Sequence, residues 1–522
     1  MKKQLNRKMF EWMRSRNRNV ASDGNREAKQ SHSADGQHLR DELNENLQDI
    51  RNLLGESFDL KSVTFTIAPF HYDGAFVYIE ELCDANAISD ELRAIHETTE
   101  RAHSITRMTP SFLKEQVLVT SESSLTNILE DCLAAILMGN SILLSNQYED
   151  AIILNTRKIP HREVSEPVTE TLVRGPRDGF IEALVTNLAL IRKRLKDPSL
   201  TIDYYQVGRR SKTDVVVLSI KNLTNPTIVR EVKRRIEKVD IDSLQETGIL
   251  EQLIEENSLS PFPQIQVTER PDKVAGSLAE GRVAILVDGT PFSLIVPLTF
   301  NSFYQSPEDY YERWMYSSLI RILRVGAAFI ALYLPSIYVA LISYHWGLIP
   351  TDLVITLAGS REGVPFPSIV EALIMEVTIE ILREAGIRLP KPIGQAVGIV
   401  GGLVIGEAAV SAGLVSPMMV IVVALTAISS FALPQYTVGE TLRILRFPLM
   451  LAAAALGLFG IVISFILITT HLVRLRSFGV NYLEPLVPYD LNGWKDTIVR
   501  TQTKRMDQRP TMLHPIDKRR MK

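Results

Sequence analysis

Only two cysteines, Cys83 and Cys132, occur in 522 residues, and they fall at no metal-ligand spacing. That excludes a disulfide framework and a cysteine-built zinc site, and predicts two ordinary buried thiols in a reduced compartment. The nine histidines are scattered and do not cluster at metal spacings, so neither a metal centre nor a cofactor is expected. A glycine-rich phosphate loop with its lysine is missing, as is a G-x-S-x-G nucleophile elbow, and no enzyme is expected. The N-terminal stretch MKKQLNRKMFEWMRSRNRNV is basic but lacks the apolar run of a secretory signal. Net charge is only −3, and no nucleic-acid partner is expected.

What is there divides in two. Up to about residue 315 the chain reads as a soluble α/β protein; residues 319–473 are mostly apolar, and a basic tail follows. The expected organisation is a disordered polar lead-in (1–50), a first α/β subdomain (51–165), a linking helix (166–200), a second α/β subdomain (201–315), a helical membrane domain (316–475) and a cytoplasmic tail (476–522). In the first subdomain FVYIEEL predicts a strand, ISDELRAIHETTE and SSLTNILEDCLAAIL helices, and SILLSNQYEDAIILNT a strand pair. In the second, DVVVLSI predicts a strand, NPTIVREVKRRIEKV and DSLQETGILEQLIEEN helices, and RVAILVDGTPFSLIVPL two strands about Asp288-Gly289. Strand, helix, helix and hairpin thus occur twice, which predicts a duplicated module. Between them, Phe180–Leu195 reads as an amphipathic helix ending in a basic turn, which either caps the helix electrostatically or binds phosphate or acidic lipid.

Five apolar segments follow: 325–346 with Pro335, 368–382, 392–413, 418–433 and 448–473. The second carries Glu371, Glu376 and Glu380, and Glu376, Glu380 and Glu384 recur every four residues. Burying each in lipid costs roughly 2–3 kcal/mol, which predicts an interfacial or gating helix, or one facing protein or water. If the soluble half and the basic tail lie on one side of the membrane, the spans must be even in number. Four spans plus one interfacial helix are expected, with 448–473 the cleanest span and Arg443 and Arg446 left outside.

The third segment is the most specific. Gly394, Gly398, Gly402 and Gly406 share one helical face, so another backbone can approach closely there. Glu407 stands beside the last glycine, and an ionisable group in an apolar helix marks a functional site or a structural pair. Pore lining and plain helix packing both remain open for this face.

REGVPFPSIVEALIMEVTIEILREAGIRLPKPIGQAVGIVGGLVIGEAAVSAGLVSP (361–417) closely resembles the characteristic stretch of the GerA-type spore germination proteins. GPRDGFIEALVTNLALIRKRL (175–195) and PFSLIVPLTFNSFYQSPEDYYERW (291–314) resemble that family too. The resemblance implies the A subunit of a nutrient germinant receptor in the inner membrane of the endospore, its soluble domain and tail facing the core. It implies as partners a transporter-like, nutrient-binding B subunit, a C-subunit lipoprotein, membrane lipid and further copies of the chain, as a pentameric cation channel. Gly394, Gly398, Gly402, Val404, Gly406 and Glu407 are then placed at the pore or its helix packing, with Val404 closing the path by dewetting. The competing readings are an accessory channel of the SpoVA-associated type, a secondary transporter, which an inverted repeat would mark, and a membrane-anchored enzyme.

Overall fold

The computed structural model describes residues 38–521 apart from 56, 68–71, 81, 102–108, 119–122, 158–165, 168–169, 391–400, 403 and 491–492. It begins with α1 (Leu43–Leu54), then β1 (Leu60–Ile67), β2 (Tyr72–Ile79), α2 (Ala85–Arg101), β3 (Ser123–Thr126), α3 (Leu129–Leu137), β4 (Ser141–Ser145) and β5 (Ala151–Leu154). These strands form an antiparallel sheet in the order β1-β2-β4-β5-β3. Side chains alternate across a strand. Ala75, Val77 and Ile79 therefore meet α1 and α3 on one face, while Phe76 packs toward Ile88 and Ile95 of α2 on the other. Both faces are covered, which explains why FVYI (76–79) and ILL (142–144) are continuous apolar runs rather than alternating ones.

The second unit repeats this plan. It comprises α4 (Leu184–Arg194), β6 (Leu200–Val207), β7 (Thr213–Ile220), α5 (Pro226–Glu237), α6 (Thr247–Ile254), β8 (Gln266–Thr268), α7 (Pro271–Glu280), β9 (Val283–Val287) and β10 (Ser293–Val296). Its sheet order, β6-β7-β9-β10-β8, matches that of the first strand for strand. Asn225 caps α5 by accepting from Thr227 N at 3.0 Å, with Pro226 in the first turn, as the Asn-Pro start requires. Gly289, at φ +86°, turns β9 into β10.

Two expected boundaries move. Leu39, Leu43, Leu47 and Ile50 fill the core of the first sheet, so that unit begins well before residue 51. Their helical spacing was hidden among polar neighbours. The tail is not a free extension either. It forms a small hairpin, β11 (Arg476–Ser477) and β12 (Val480–Asn481), and Phe478, Val480, Met512 and Leu513 complete the core of the second sheet.

The apolar half is a bundle of α8 (Trp314–Tyr344), α9 (Thr351–Arg361), α10 (Ser368–Arg388), α11 (described at 401–402 and 404–411), α12 (Pro417–Phe431), α13 (Tyr436–Leu456) and α14 (Leu458–Arg474). Among the described residues, α8 alone is long and apolar enough to cross a membrane by length and composition, while α12 and α14 are shorter apolar helices. Side-chain contacts fix the helix directions. Ser343 near the end of α8 meets Ser368 at the start of α10, 2.9 Å apart, so α10 runs back toward the α/β units. Gly401 lies against Leu382 of α10 and Gly413 against Gly363, so α11 returns to the far end, and Ser416 there starts α12. Thr441 donates to Pro261 O at 2.7 Å and Tyr344 to Ala454 O at 2.6 Å, which sets α13 parallel to α8. His471 of α14 then sits 2.8 Å from Ser260, back beside the second unit.

Two expectations about this half are corrected. Segment 448–473 is not one span: Gly457 (φ +61°, ψ −142°) breaks it, and α13 and α14 form a tight hairpin. Only glycine occupies that backbone region readily, and a Cβ there would fall 2.6 Å from the His345 ring. Of the settings expected for Ser368–Arg388, the interfacial one gives way to the protein-facing one, because Ala372 and Met375 lie in the bundle core.

Candidate functional site

The acidic residues of α10 are the first element of the site, because the bundle buries some and exposes others. Glu371 is fully buried at the far end, where one carboxylate oxygen pairs with Arg361 at 2.7 Å and the other accepts from Ser416 N at 2.8 Å. That bond holds the turn from α11 into α12. Near mid-bundle Glu376 meets Arg446 of α13 at 2.5 Å, and Arg446 also donates through Nε to Ala331 O of α8 at 2.8 Å. Both side chains are almost completely buried, at 2% and 3% exposure. Glu376 Oε1 and Arg446 Nη2 have no hydrogen-bond partner. One turn further on, Glu380 pairs with Arg383 and lies 4.0 Å from Arg443 of α13. Glu384 is exposed and bonds Arg388 at 2.6 Å.

The glutamates thus form a polar line along α10 from the far end of the bundle toward its α/β end, with Glu376 and Glu380 set in a seam between α10 and α13. Arg443 and Arg446, expected outside, are instead the basic half of that seam. Their place in an apolar stretch could not be read as a pairing, because the partners lie about seventy residues away in sequence. A pair with one oxygen and one nitrogen left over is not fully compensated for leaving water. It holds α10 to α13 while leaving hydrogen-bonding capacity spare.

The glycine face is the second element. Gly394 and Gly398 lie outside the described residues. Gly402 is exposed, with none of the described atoms outside its own helix within 4 Å of where a Cβ would stand, and Val404 and Glu407 are exposed too. Gly406 is buried against Val420 of α12. Among the described glycines of α11, the closest approach is made by Gly401, beside Leu382, and Gly401 lies off the stripe. Of the two described stripe glycines, Gly402 therefore points out of the bundle and Gly406 into it.

The third element ties the bundle to the α/β half, and no sequence motif announced it. Asp309, on the short helix Glu308–Tyr311, receives Arg321 Nε at 2.8 Å and Arg324 Nη1 at 2.8 Å, both from α8. Arg321 Nη1 also pairs with Asp496 of the tail at 2.7 Å, and Tyr310 donates its hydroxyl to Asp496 at 2.6 Å. Burial holds the Tyr310 hydroxyl well above the usual tyrosine range, so it remains a donor. Arg500 of the tail donates to Asp309 O at 2.5 Å. Between the two α/β units, Arg192 of α4 is buried against Asp59, 3.2 Å away, and Ser57. Arg194 pairs with Asp178 at 2.5 Å. The basic turn of this linking helix is therefore engaged in structural pairing. Among the described residues no group of three or more His, Cys, Asp or Glu could hold a metal ion.

The chain matches the sequence model of the Bacillus/Clostridium GerA spore germination protein family over residues 48–512. It is 44% identical to spore germination protein GerLA of Bacillus cereus, across 92% of this chain and 95% of that protein. It is 42% identical to spore germination protein B1 of Bacillus subtilis, across 91% and 98%. A crystal structure of the N-terminal domain of the A subunit of the Bacillus megaterium spore germinant receptor GerK3 aligns with 51% of this chain and 98% of its own, at 33% identity and TM-score 0.41.

Proposed function

The chain belongs to the Bacillus/Clostridium GerA spore germination protein family, and from that premise we propose that it is the A subunit of a nutrient germinant receptor, assembled as a nutrient-gated cation channel. A role in spore germination follows from the family; the channel, its oligomer and its partners are our reading. The bundle sits in the spore inner membrane, with the α/β units and the tail on the core side. This reading is supported by the alternating helix directions, which return the end of α14 to the second unit where α8 began. It also agrees with the tail packing into that unit's core.

The observation that carries the channel reading is the open Gly402 on α11, with Glu407 also exposed about one and a half turns further on. A lipid-facing helix gains nothing from an open glycine or an exposed carboxylate, whereas a neighbouring copy or a pore axis uses both. In a pentameric ring, α11 helices approach one another at Gly394, Gly398 and Gly402, Val404 closes the path by dewetting, and Glu407 attracts cations. A nutrient held by a transporter-like B subunit, with a C-subunit lipoprotein in the complex, shifts the ring toward its open packing.

The test uses the geometry of one glycine. A Cβ at Gly402 meets no described atom outside its own helix within 4 Å, so the Gly402→Leu protein should accumulate normally while potassium release from nutrient-treated spores is lost or altered. Normal release with normal abundance would refute a packed or pore-lining α11. Glu407→Gln should slow potassium efflux; unchanged efflux removes Glu407 from the permeation path.

A further inference from the structure

Two of the most exposed large apolar side chains in the described structure, Val173 and Leu259, each at 93% exposure, belong to the α/β half and not to the bundle. One such residue on a surface is ordinary. These two are distinguished by their position. The Leu259 loop clasps the α/β end of the bundle: Ser260 bonds His471 near the end of α14, Pro261 O accepts from Thr441 near the start of α13, and Phe262 enters the bundle core. The Val173 loop sits beside the start of α8, where Arg174 approaches Glu312 at 3.9 Å and Gly175 lies against the Tyr311 ring. At the same level Trp314, Met315 and Tyr316 open α8 and Tyr436 opens α13, all exposed. Tryptophan and tyrosine collected at one level of an apolar bundle mark a bilayer–water interface.

The two loops differ in charge. Around Val173 stand the exposed guanidinium-bearing residues Arg174, Arg177 and Arg313. Leu259 follows Glu255 and Glu256, the latter paired with Arg235 at 2.9 Å. The first loop therefore combines an apolar tip with cations suited to anionic headgroups, and the second offers an apolar tip alone.

Resting on the membrane reading of the bundle, we propose that the Val173 and Leu259 loops insert into the headgroup layer of an anionic phospholipid surface and seat the α/β units against it. The lipid contact makes the α/β units part of the membrane-bound body, so their movement is transmitted to the starts of α8 and α13.

The full chain, reconstituted in vesicles of mixed zwitterionic and anionic phospholipid, tests this with an environment-sensitive fluorophore on single introduced cysteines. Cys83 and Cys132 are buried, and burial pushes their thiols up to about 11 and about 12, so neither competes for label. Labelled Val173→Cys and Leu259→Cys should lose emission about twofold when the lipids carry brominated acyl chains, and so should Ile428→Cys on the outer face of α12. Met138→Cys on the first unit should not. Val173→Cys should also lose its quenching when Arg174 and Arg177 become glutamate or when anionic lipid is omitted, while Leu259→Cys should not respond. Quenching at Ile428 without quenching at either loop overturns the loop insertion and leaves the membrane reading standing. A blue-shifted loop signal insensitive to bromine also overturns it, since protein would then cover the loop. No quenching at Ile428 refutes the membrane reading itself.

Discussion

Replacing Arg446 by methionine removes the cation facing Glu376 while keeping an apolar chain of comparable length. The carboxylate it leaves behind is 2% exposed, and its other oxygen already lacks a partner. Breaking a buried pair from one side costs about 3–5 kcal/mol, because an uncompensated charge remains. The lost Nε bond to Ala331 O falls within that figure. Replacing both members, Glu376→Gln with Arg446→Met, should recover most of the loss, since a buried pair exchanged for neutral groups is often neutral in its effect. The double-mutant cycle should therefore return a coupling of about 2 kcal/mol or more between positions 376 and 446. The assay is unfolding of the full chain from mixed micelles by SDS titration, followed by tryptophan fluorescence. If Arg446→Met lies within about 0.5 kcal/mol of the parent, or the coupling vanishes, water reaches the pair and the seam does not clamp α10 to α13.

Gly457→Ala should destabilise the α13–α14 hairpin by about 1–3 kcal/mol from backbone strain alone, read as a lower SDS midpoint, with the clash against His345 adding to it; an unchanged midpoint would show that the two helices straighten at no cost. Burial, reinforced by Glu255 and Glu246, pushes the Glu251 carboxyl up to about 8. The folded state therefore holds its proton more tightly than the unfolded chain between about pH 4.5 and 8. Stability from this group is complete below that window and lost as pH rises through it, and Glu251→Gln should flatten the decline in thermal midpoint between about pH 5 and 8. Asp59→Asn weakens the partner of buried Arg192 and should loosen α4 from the first unit, read as faster amide hydrogen exchange along α4; unchanged exchange would show that the pair does not join the units.

The α/β half was legible because its signals are local. Asn225-Pro226 and Asp288-Gly289 punctuate the second unit where the structure turns, and the repeated strand and helix order appears as two sheets of one topology. The opening helix was missed because Leu39, Leu43 and Leu47 stand among polar residues, and their burial depends on a sheet formed later in the chain. In the bundle, composition located the apolar segments but not their breaks. Gly457 reads as one small residue among alanines, and only the approach of His345 and the return of α14 make it a turn.

The sequence by itself determined the apportioning of the chain into an α/β half, an apolar half and a tail, the duplication, the glycine periodicity and the family resemblance. Each is carried by short-range pattern or by residues read in order. The tertiary structure decided which charges are paired. Glu376 finds Arg446, Arg321 finds Asp309 and Asp496, and Arg192 finds Asp59 across long stretches of chain. Burial, which makes such pairs consequential, is a property of what surrounds a side chain and has no signature in its neighbours along the sequence. The same holds for the glycine face. Periodicity placed Gly402 and Gly406 on one side of a helix, and only packing distinguished Gly406, held against Val420, from Gly402, left open to the outside.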